Sequence, residues 1–187
     1  GPRVCTLPPS NVEAGCTAVM ACVRGSQLVV ANAGDSRAVL CRAGKAVAMS
    51  EDHKPALESE SRRIEEAGGW VTAQGRINGN LNLSRALGDL KYKGNSSLPK
   101  AAQIITAEPE VRTHYLTADD EFLVLACDGV WDCMSNQEVC DFVRERIATT
   151  ALDKIAEEIF DHCISEDPKV TQGIGGDNMT ALIVAFR

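Results

Sequence analysis

The chain of 187 residues carries 19 Lys and Arg against 26 Asp and Glu, a formal net charge of -7, with 44% hydrophobic and 24% charged residues. At roughly 100 to 200 residues per domain this is one domain with at most a small appended subdomain, and the apolar content suffices for a packed core. The acidic balance argues against nucleic acid or an anionic membrane as partner, since both are bound through basic patches, and no apolar run approaches the roughly 18 residues that span a bilayer.

Residues 1–15, with Pro2, Pro8 and Pro9, show no periodicity and read as an irregular lead-in. Short β-rich runs follow at 16–23, 27–33, 37–42 and 46–49, punctuated by Arg24-Gly25-Ser26, Gly34-Asp35-Ser36 and Ala43-Gly44-Lys45, a pattern that predicts an antiparallel meander. Residues 57–67 turn helical: Glu58 and Arg62 stand at i,i+4, Leu57 and Ile64 share a face, and Gly68-Gly69 supplies the stop. From 70 to 98 short β-like runs alternate with Gly and Asn and read as a flexible subdomain outside the central core.

Strands are predicted at 110–116 and 122–127, then two helices. The first starts at Ser135, where Ser-Asn-Gln-Glu makes a capping box, with Val139, Cys140, Val143 and Ile147 on one stripe. The second starts after Thr150 and repeats Leu152, Ile155, Ala156, Ile159, Phe160 and Cys163 at helical spacing; a strand at 179–186 closes the chain. The runs 122–126 and 181–186 are apolar throughout, so both faces of these strands must be covered. Consecutive hairpins exclude a βαβ repeat, and the fold class expected is α+β, with stacked antiparallel sheets and helices outside. The eight cysteines sit in apolar runs with no CxxC pair, no zinc-ligand spacing and no signal peptide, and read as reduced core thiols of an intracellular protein.

Three aspartates stand where a turn meets an apolar strand: Asp35 in Asn-Ala-Gly-Asp-Ser-Arg, Asp128 in Ala-Cys-Asp-Gly-Val-Trp-Asp, and Asp177 in Gly-Gly-Asp-Asn-Met-Thr. Each alone is explained as a turn cap. Together, at the ends of neighbouring buried strands, their carboxylates would repel unless a cation sits among them, and an all-oxygen set suits Mg²⁺ or Mn²⁺ better than zinc. Asp132 either extends this set or caps the turn before Ser135. Asn178 either orients a metal-bound water or tolerates the turn geometry, and Arg37 either contacts a phosphate or neutralises its neighbour.

Six motifs carry a resemblance: residues 32–38 (Asn-Ala-Gly-Asp-Ser-Arg-Ala), 52–55 (Asp-His-Lys-Pro), 63–69 (Arg-Ile-Glu-Glu-Ala-Gly-Gly), 83–89 (Leu-Ser-Arg-Ala-Leu-Gly-Asp), 127–132 (Cys-Asp-Gly-Val-Trp-Asp) and 175–180 (Gly-Gly-Asp-Asn-Met-Thr). In order and spacing the chain resembles the metal-dependent protein phosphatases of type 2C, most like their gamma branch. The resemblance implies a serine/threonine phosphoprotein phosphatase with an αββα four-layer sandwich. It implies two to three Mg²⁺ or Mn²⁺ ions in the complete domain, with water bridging two of them as nucleophile. By the same resemblance Asp128 and Asp177 hold one of the paired metals and Asp35, Asp128 and Asp132 a third, weaker position, with Asn178 and Gly129 in support. Residues 16–187 then form a partial catalytic domain in which 55–98 is flap-like.

The family's N-terminal motifs, with their phosphate-binding Arg, bridging Asp and proton-donating His, are not found in the sequence. His53, His114 and His162 do not match that His, so no general acid is assigned. The chain is therefore expected to be a C-terminal part of the catalytic domain, to lack its N-terminal strands and to be poorly active alone. Its bare sheet edges would invite association or strand exchange, and the oligomeric state stays open. Phosphoproteins are the expected partners and the cytoplasm or nucleus the expected place. The alternatives are a pseudophosphatase or interaction module of the same fold, and a haloacid-dehalogenase-type phosphatase, whose second Asp is replaced here by Val130.

Overall fold

In the computed structural model, which describes residues 14–186, the two solidly apolar runs become adjacent strands of one sheet. The strands are β1 (Gly15–Cys16), β2 (Ala18–Arg24), β3 (Gln27–Ala33), β4 (Arg37–Arg42), β5 (Lys45–Ala48), β6 (Leu87–Gly88), β7 (Glu110–Tyr115), β8 (Asp120–Ala126) and β9 (Ala181–Ala185). The helices are α1 (Glu58–Glu66), α2 (Asp128–Trp131), α3 (Asn136–Arg146) and α4 (Leu152–Cys163). They divide between two units, one of residues 14–18, 32–35 and 52–110, the other of 19–31, 36–51 and 111–186.

The larger unit is layered. One sheet has the order β2-β3-β7 and the other β5-β4-β8-β9, the latter antiparallel throughout. Strand alternation sends Ala38, Leu40, Leu123 and Leu125 to one side, where they meet Leu28 and Val30 of the facing sheet. It sends Val39, Cys41, Phe122 and Val124 to the other side, against Val139, Val143, Ile155 and Ile159 of α3 and α4. Two covered faces are why β4 and β8 show no polar alternation. The fold is α+β with antiparallel sheets; of the four layers expected, the described residues supply both sheets and one helix layer.

The smaller unit has its own core of Ile64, Ile77, Ala86, Tyr92 and Ile105, with β1 and β6 paired antiparallel. It runs past residue 98 because Ile105 packs in that core and the Ala86 amide donates to the Thr106 carbonyl at 3.0 Å. Leu57 corrects the predicted helix face. It takes extended backbone angles as the cap of α1 and is 42% exposed, while Ile64 is buried. Glu60 is also buried on that helix, at 1% exposure.

The cysteines also divide. Cys41, Cys140 and Cys163 are buried, whereas Cys16 and Cys22 are exposed, Cys22 because it falls on the outward side of β2. Burial first, with the Cys41 thiol beside it, pushes Cys140 up to about 12 and so removes the thiolate needed for reactivity. Cys5 and most of the predicted lead-in lie outside the described residues.

Candidate metal site

The acidic positions of the larger unit are set by the end of β8. Cys127 keeps an extended backbone as the cap of α2 and binds the segment before β9 three ways. Its amide donates to the Thr180 carbonyl at 3.2 Å, its Sγ accepts from the Thr180 amide at 3.2 Å, and its thiol donates to the Asn178 carbonyl at 3.4 Å. Asp128 begins α2 one residue later. Trp131, buried at the end of this single turn, donates from Nε1 to the Ala126 carbonyl at 2.8 Å and fixes the turn on the strand it leaves.

Gly129 faces the incoming segment so closely that a Cβ there would stand 2.4 Å from the Asn178 carbonyl oxygen. Only glycine lets the two backbones meet. The result is a cavity of about 220 Å³ lined by Gly129, Asp132, Asp177 and residues 172–175. Asp132 and Asp177 are exposed and Asp128 is half-buried. Asp177 Oδ1 accepts from the Asn178 amide at 2.7 Å, so Asn178 bears on the site through its backbone. Arg37 of the same unit donates to Asn136 Oδ1 at 2.7 Å and lies 5.3 Å from the Trp131 ring centroid.

Asp35 belongs to the smaller unit and is buried. Its Oδ2 accepts from Lys54 Nζ at 2.5 Å. The turn holding it is tied to His53, whose amide donates to the Gly34 carbonyl at 3.0 Å and whose Nδ1 lies 3.2 Å from the Gly34 amide. His53 Nε2 has no hydrogen-bond partner among the described residues, with Glu110 Oε2 at 3.7 Å. Burial first, then the Arg85 charge, lowers the His53 pKa and favours the neutral ring.

Sequence reasoning missed the chemistry of Glu60. Its carboxylate accepts from Arg63 at 2.7 Å, from Arg85 at 2.6 Å and from Ser84 Oγ at 2.5 Å. Burial alone would raise this carboxyl; the hydrogen bonds from Arg85, Ser84 and Arg63 outweigh it and hold the group at about 2. Two of the six motifs thus act on one group, since Ser84 and Arg85 of the fourth and Arg63 of the third neutralise a buried helix carboxylate.

The donor set fits a hard divalent cation in part. Asp132 and Asp177 share one polar cavity, oxygen-only, with Asp128 opening the helix beside it. Among the described residues no group of three or more metal-capable side chains is gathered, and Asp35 already has an ammonium on it.

Antiparallel sheets under a helix layer, with acidic turns at the strand ends, define an α+β sandwich. Residues 7–169 match the family model for protein phosphatase 2C, and the chain belongs to that family. It is 52% identical over 174 residues to the probable protein phosphatase 2C 11 of Oryza sativa subsp. japonica, covering 92% of this chain and 47% of that protein. It is 50% identical over 182 residues to protein phosphatase 1G of Homo sapiens, covering 94% of this chain and 33% of that one. Among solved structures it is similar to a phosphatase from Toxoplasma gondii, with a TM-score of 0.73, 36% identity and coverage of 86% of this chain and 48% of that chain. A sex determining protein of C. elegans gives a TM-score of 0.76 at 28% identity, over 94% of this chain and 41% of that chain. The chain thus spans half the length or less of these relatives.

Proposed function

We propose that the chain carries part of the site of a Mg²⁺- or Mn²⁺-dependent phosphatase acting on phosphoserine and phosphothreonine in proteins. The observation that carries this reading is the convergence of Asp132 and Asp177 on one small polar cavity beside Asp128, within a chain of the protein phosphatase 2C family.

Asp128, Asp132 and Asp177 would hold the metal. A divalent ion bound there supplies an acidified water and neutralises phosphoryl oxygens. The chain's own part is to keep the carboxylates fixed: Cys127 clamps the end of β8 to the segment before β9, and Gly129 lets the segment close. Trp131 prevents α2 from lifting off its strand. No general acid and no phosphate-binding Arg is assigned in the chain.

The test is Mn²⁺-dependent turnover of p-nitrophenyl phosphate by the protein expressed from its complete reading frame. Asp128→Asn and Asp177→Asn should each lower turnover at least roughly tenfold with the melting temperature kept. Unchanged turnover in both would defeat the assignment. The 187-residue chain alone should turn over far more slowly, and full activity from it would show that its own residues complete the site.

A further inference from the structure

Among the described residues of the larger unit, two pairs of cysteines touch through their thiols. Cys41 and Cys140 hydrogen-bond side chain to side chain, and so do Cys133 and Cys163. The first pair lies wholly in the core, both residues at 0% exposure between the four-stranded sheet and the helices. The second is open on one side: Cys163, the last residue of α4, is buried, but Cys133 is only partly buried.

Cys133 stands two residues beyond α2 and next to Asp132. Its thiol lies 3.3 Å from the Gly129 carbonyl and 3.7 Å from the Cys163 carbonyl, so it bridges the turn that begins with Asp128 to the end of α4. The end of α4 in turn meets the cavity wall. The Ser165 amide donates to the Gly175 carbonyl at 2.9 Å, and a Cβ on Gly175 would stand 2.2 Å from the Cys163 carbonyl oxygen. Gly175 lines the cavity together with Asp132 and Asp177, so a covalent link between the two sulfurs would act on both of its walls. Burial first, then the Cys133 thiol beside it, pushes the Cys163 thiol up, which leaves Cys133 as the sulfur that meets an oxidant. Contact then offsets the weak nucleophilicity of Cys163, because attack on an oxidised neighbour in the same fold needs no encounter.

We propose that Cys133 and Cys163 form a peroxide-sensitive disulfide that loosens divalent-cation binding at the cavity of Asp132 and Asp177. Hydrogen peroxide, the oxidant, transfers one oxygen to the Cys133 thiol; its O–O bond breaks, giving Cys133 sulfenic acid and water. The Cys163 sulfur then displaces the hydroxyl group from the Cys133 sulfur, the Cys163 proton leaves with it as a second water, and the S–S bond forms. Two thiols lose two electrons and one peroxide gains them; a dithiol reductant returns two electrons and two protons. Drawing the sulfurs from hydrogen-bond contact to about 2.05 Å takes the Cys133 thiol off the Gly129 carbonyl and pulls the residue after Asp132 toward α4. The effect on the cation rests on the metal reading proposed above, whereas the disulfide does not.

The protein from its complete reading frame, exposed to hydrogen peroxide, unfolded, capped with N-ethylmaleimide and digested without reductant, should yield a linked pair of Cys133 and Cys163 peptides. Mass spectrometry should find the pair two hydrogens lighter than its parts and separable by dithiothreitol, with Cys41 and Cys140 carrying the maleimide. Cys133→Ser should abolish the pair and leave Cys163 reduced. Cys163→Ser should leave Cys133 as a sulfenic acid that dimedone labels. In a Mn²⁺ titration followed by the electron paramagnetic resonance of the free ion, peroxide should weaken binding roughly tenfold, the scale on which disturbed ligand supports act, and dithiothreitol should restore it. Cys133→Ser, which keeps a donor for the Gly129 carbonyl, should bind as the untreated parent does before and after peroxide.

Absence of the linked pair, or dimedone on Cys163 in place of Cys133, overturns the proposal. A linked pair with unchanged Mn²⁺ binding overturns the coupling to the cavity where Asp177→Asn abolishes that binding. If Asp177→Asn leaves Mn²⁺ binding intact, the metal reading fails and the coupling with it, while the disulfide stands on its mass.

Discussion

Glu60 shows how one buried charge sets the stability of the smaller unit. Its folded pKa of about 2 lies below the ordinary 4.5, so the deprotonated form is favoured by folding. For a depressed carboxyl the contribution is present in full above the unfolded value and is lost as pH falls through the folded one. Stability should therefore drop between about pH 4.5 and 2, the interval those two values mark. Glu60→Gln keeps the volume but leaves Arg63 and Arg85 facing an uncharged amide, and breaking such a buried pair costs about 3 to 5 kcal/mol. Urea unfolding at pH 7 should show that loss, and the variant should decline less steeply than the parent across the acid window, the remainder coming from carboxyls such as Asp120 that are also lowered. A parent-like acid profile in Glu60→Gln would remove Glu60 from this role. The network was not legible in the sequence for a definite reason. Helical spacing puts Glu60 among polar positions, and its partners Ser84 and Arg85 come from 24 and 25 residues away, a distance no local pattern crosses.

At the scale of elements, what was legible is what short-range chemistry determines. The strands at 27–33 and 37–42 have the predicted ends because Gly and Asp punctuate apolar runs on both sides. α3 starts where the capping box places it: Ser135 Oγ accepts from the Glu138 amide at 3.3 Å and Glu138 accepts from the Ser135 amide at 2.7 Å. Of the six predicted site residues, Gly129, Asp132 and Asp177 meet on one cavity, with Asp128 and Asn178 next to them in the chain. Asp35 lies in the other unit, since the Gly34-Asp35 turn is tied to 53–54.

The single turn α2 had no signal of its own: four residues are too few for a helical period, and its register follows from the Trp131 anchor. That register makes Gly129 a sensitive point. A Cβ at 2.4 Å from the Asn178 carbonyl must push residues 176–179 away, and overpacking of this kind costs about 1 to 3 kcal/mol. Gly129→Ala should lower the melting temperature by about 2 to 4 °C per kcal/mol lost. It should also weaken Mn²⁺ binding, because Asp177 moves with the displaced segment. A variant with the parent's melting temperature and the parent's affinity would show that the contact can relax at no cost.

For the larger unit as a whole, the two sheets are not covered alike. The four-stranded sheet lies between the other sheet and the helices, while β2 and β7 turn exposed side chains to their outward side. Alternation puts Met20, Cys22, Val29, Ala31, Val111 and Tyr115 there, with Met20 64% and Tyr115 66% exposed. The same alternation turns Arg24, Gln27 and Thr113 outward among them, and exposed apolar side chains grouped on one face mark a surface that associates. Two copies meeting through it would gain about 25 cal/mol for each Å² of apolar surface buried. The cost of association, about 4 to 15 kcal/mol, takes most of that, which leaves a weak and concentration-dependent pairing. Sedimentation velocity on the 187-residue chain should show a rising weight-average mass across the micromolar range. The rise should strengthen with added salt, as an apolar contact does and an ionic one does not. Met20→Lys combined with Tyr115→Lys should abolish it without lowering the melting temperature, since both side chains are exposed in the single chain. Association that survives the double substitution would move the contact to the sheet edges, which among the described residues are β2, β5, β7 and β9 and offer the other route to pairing.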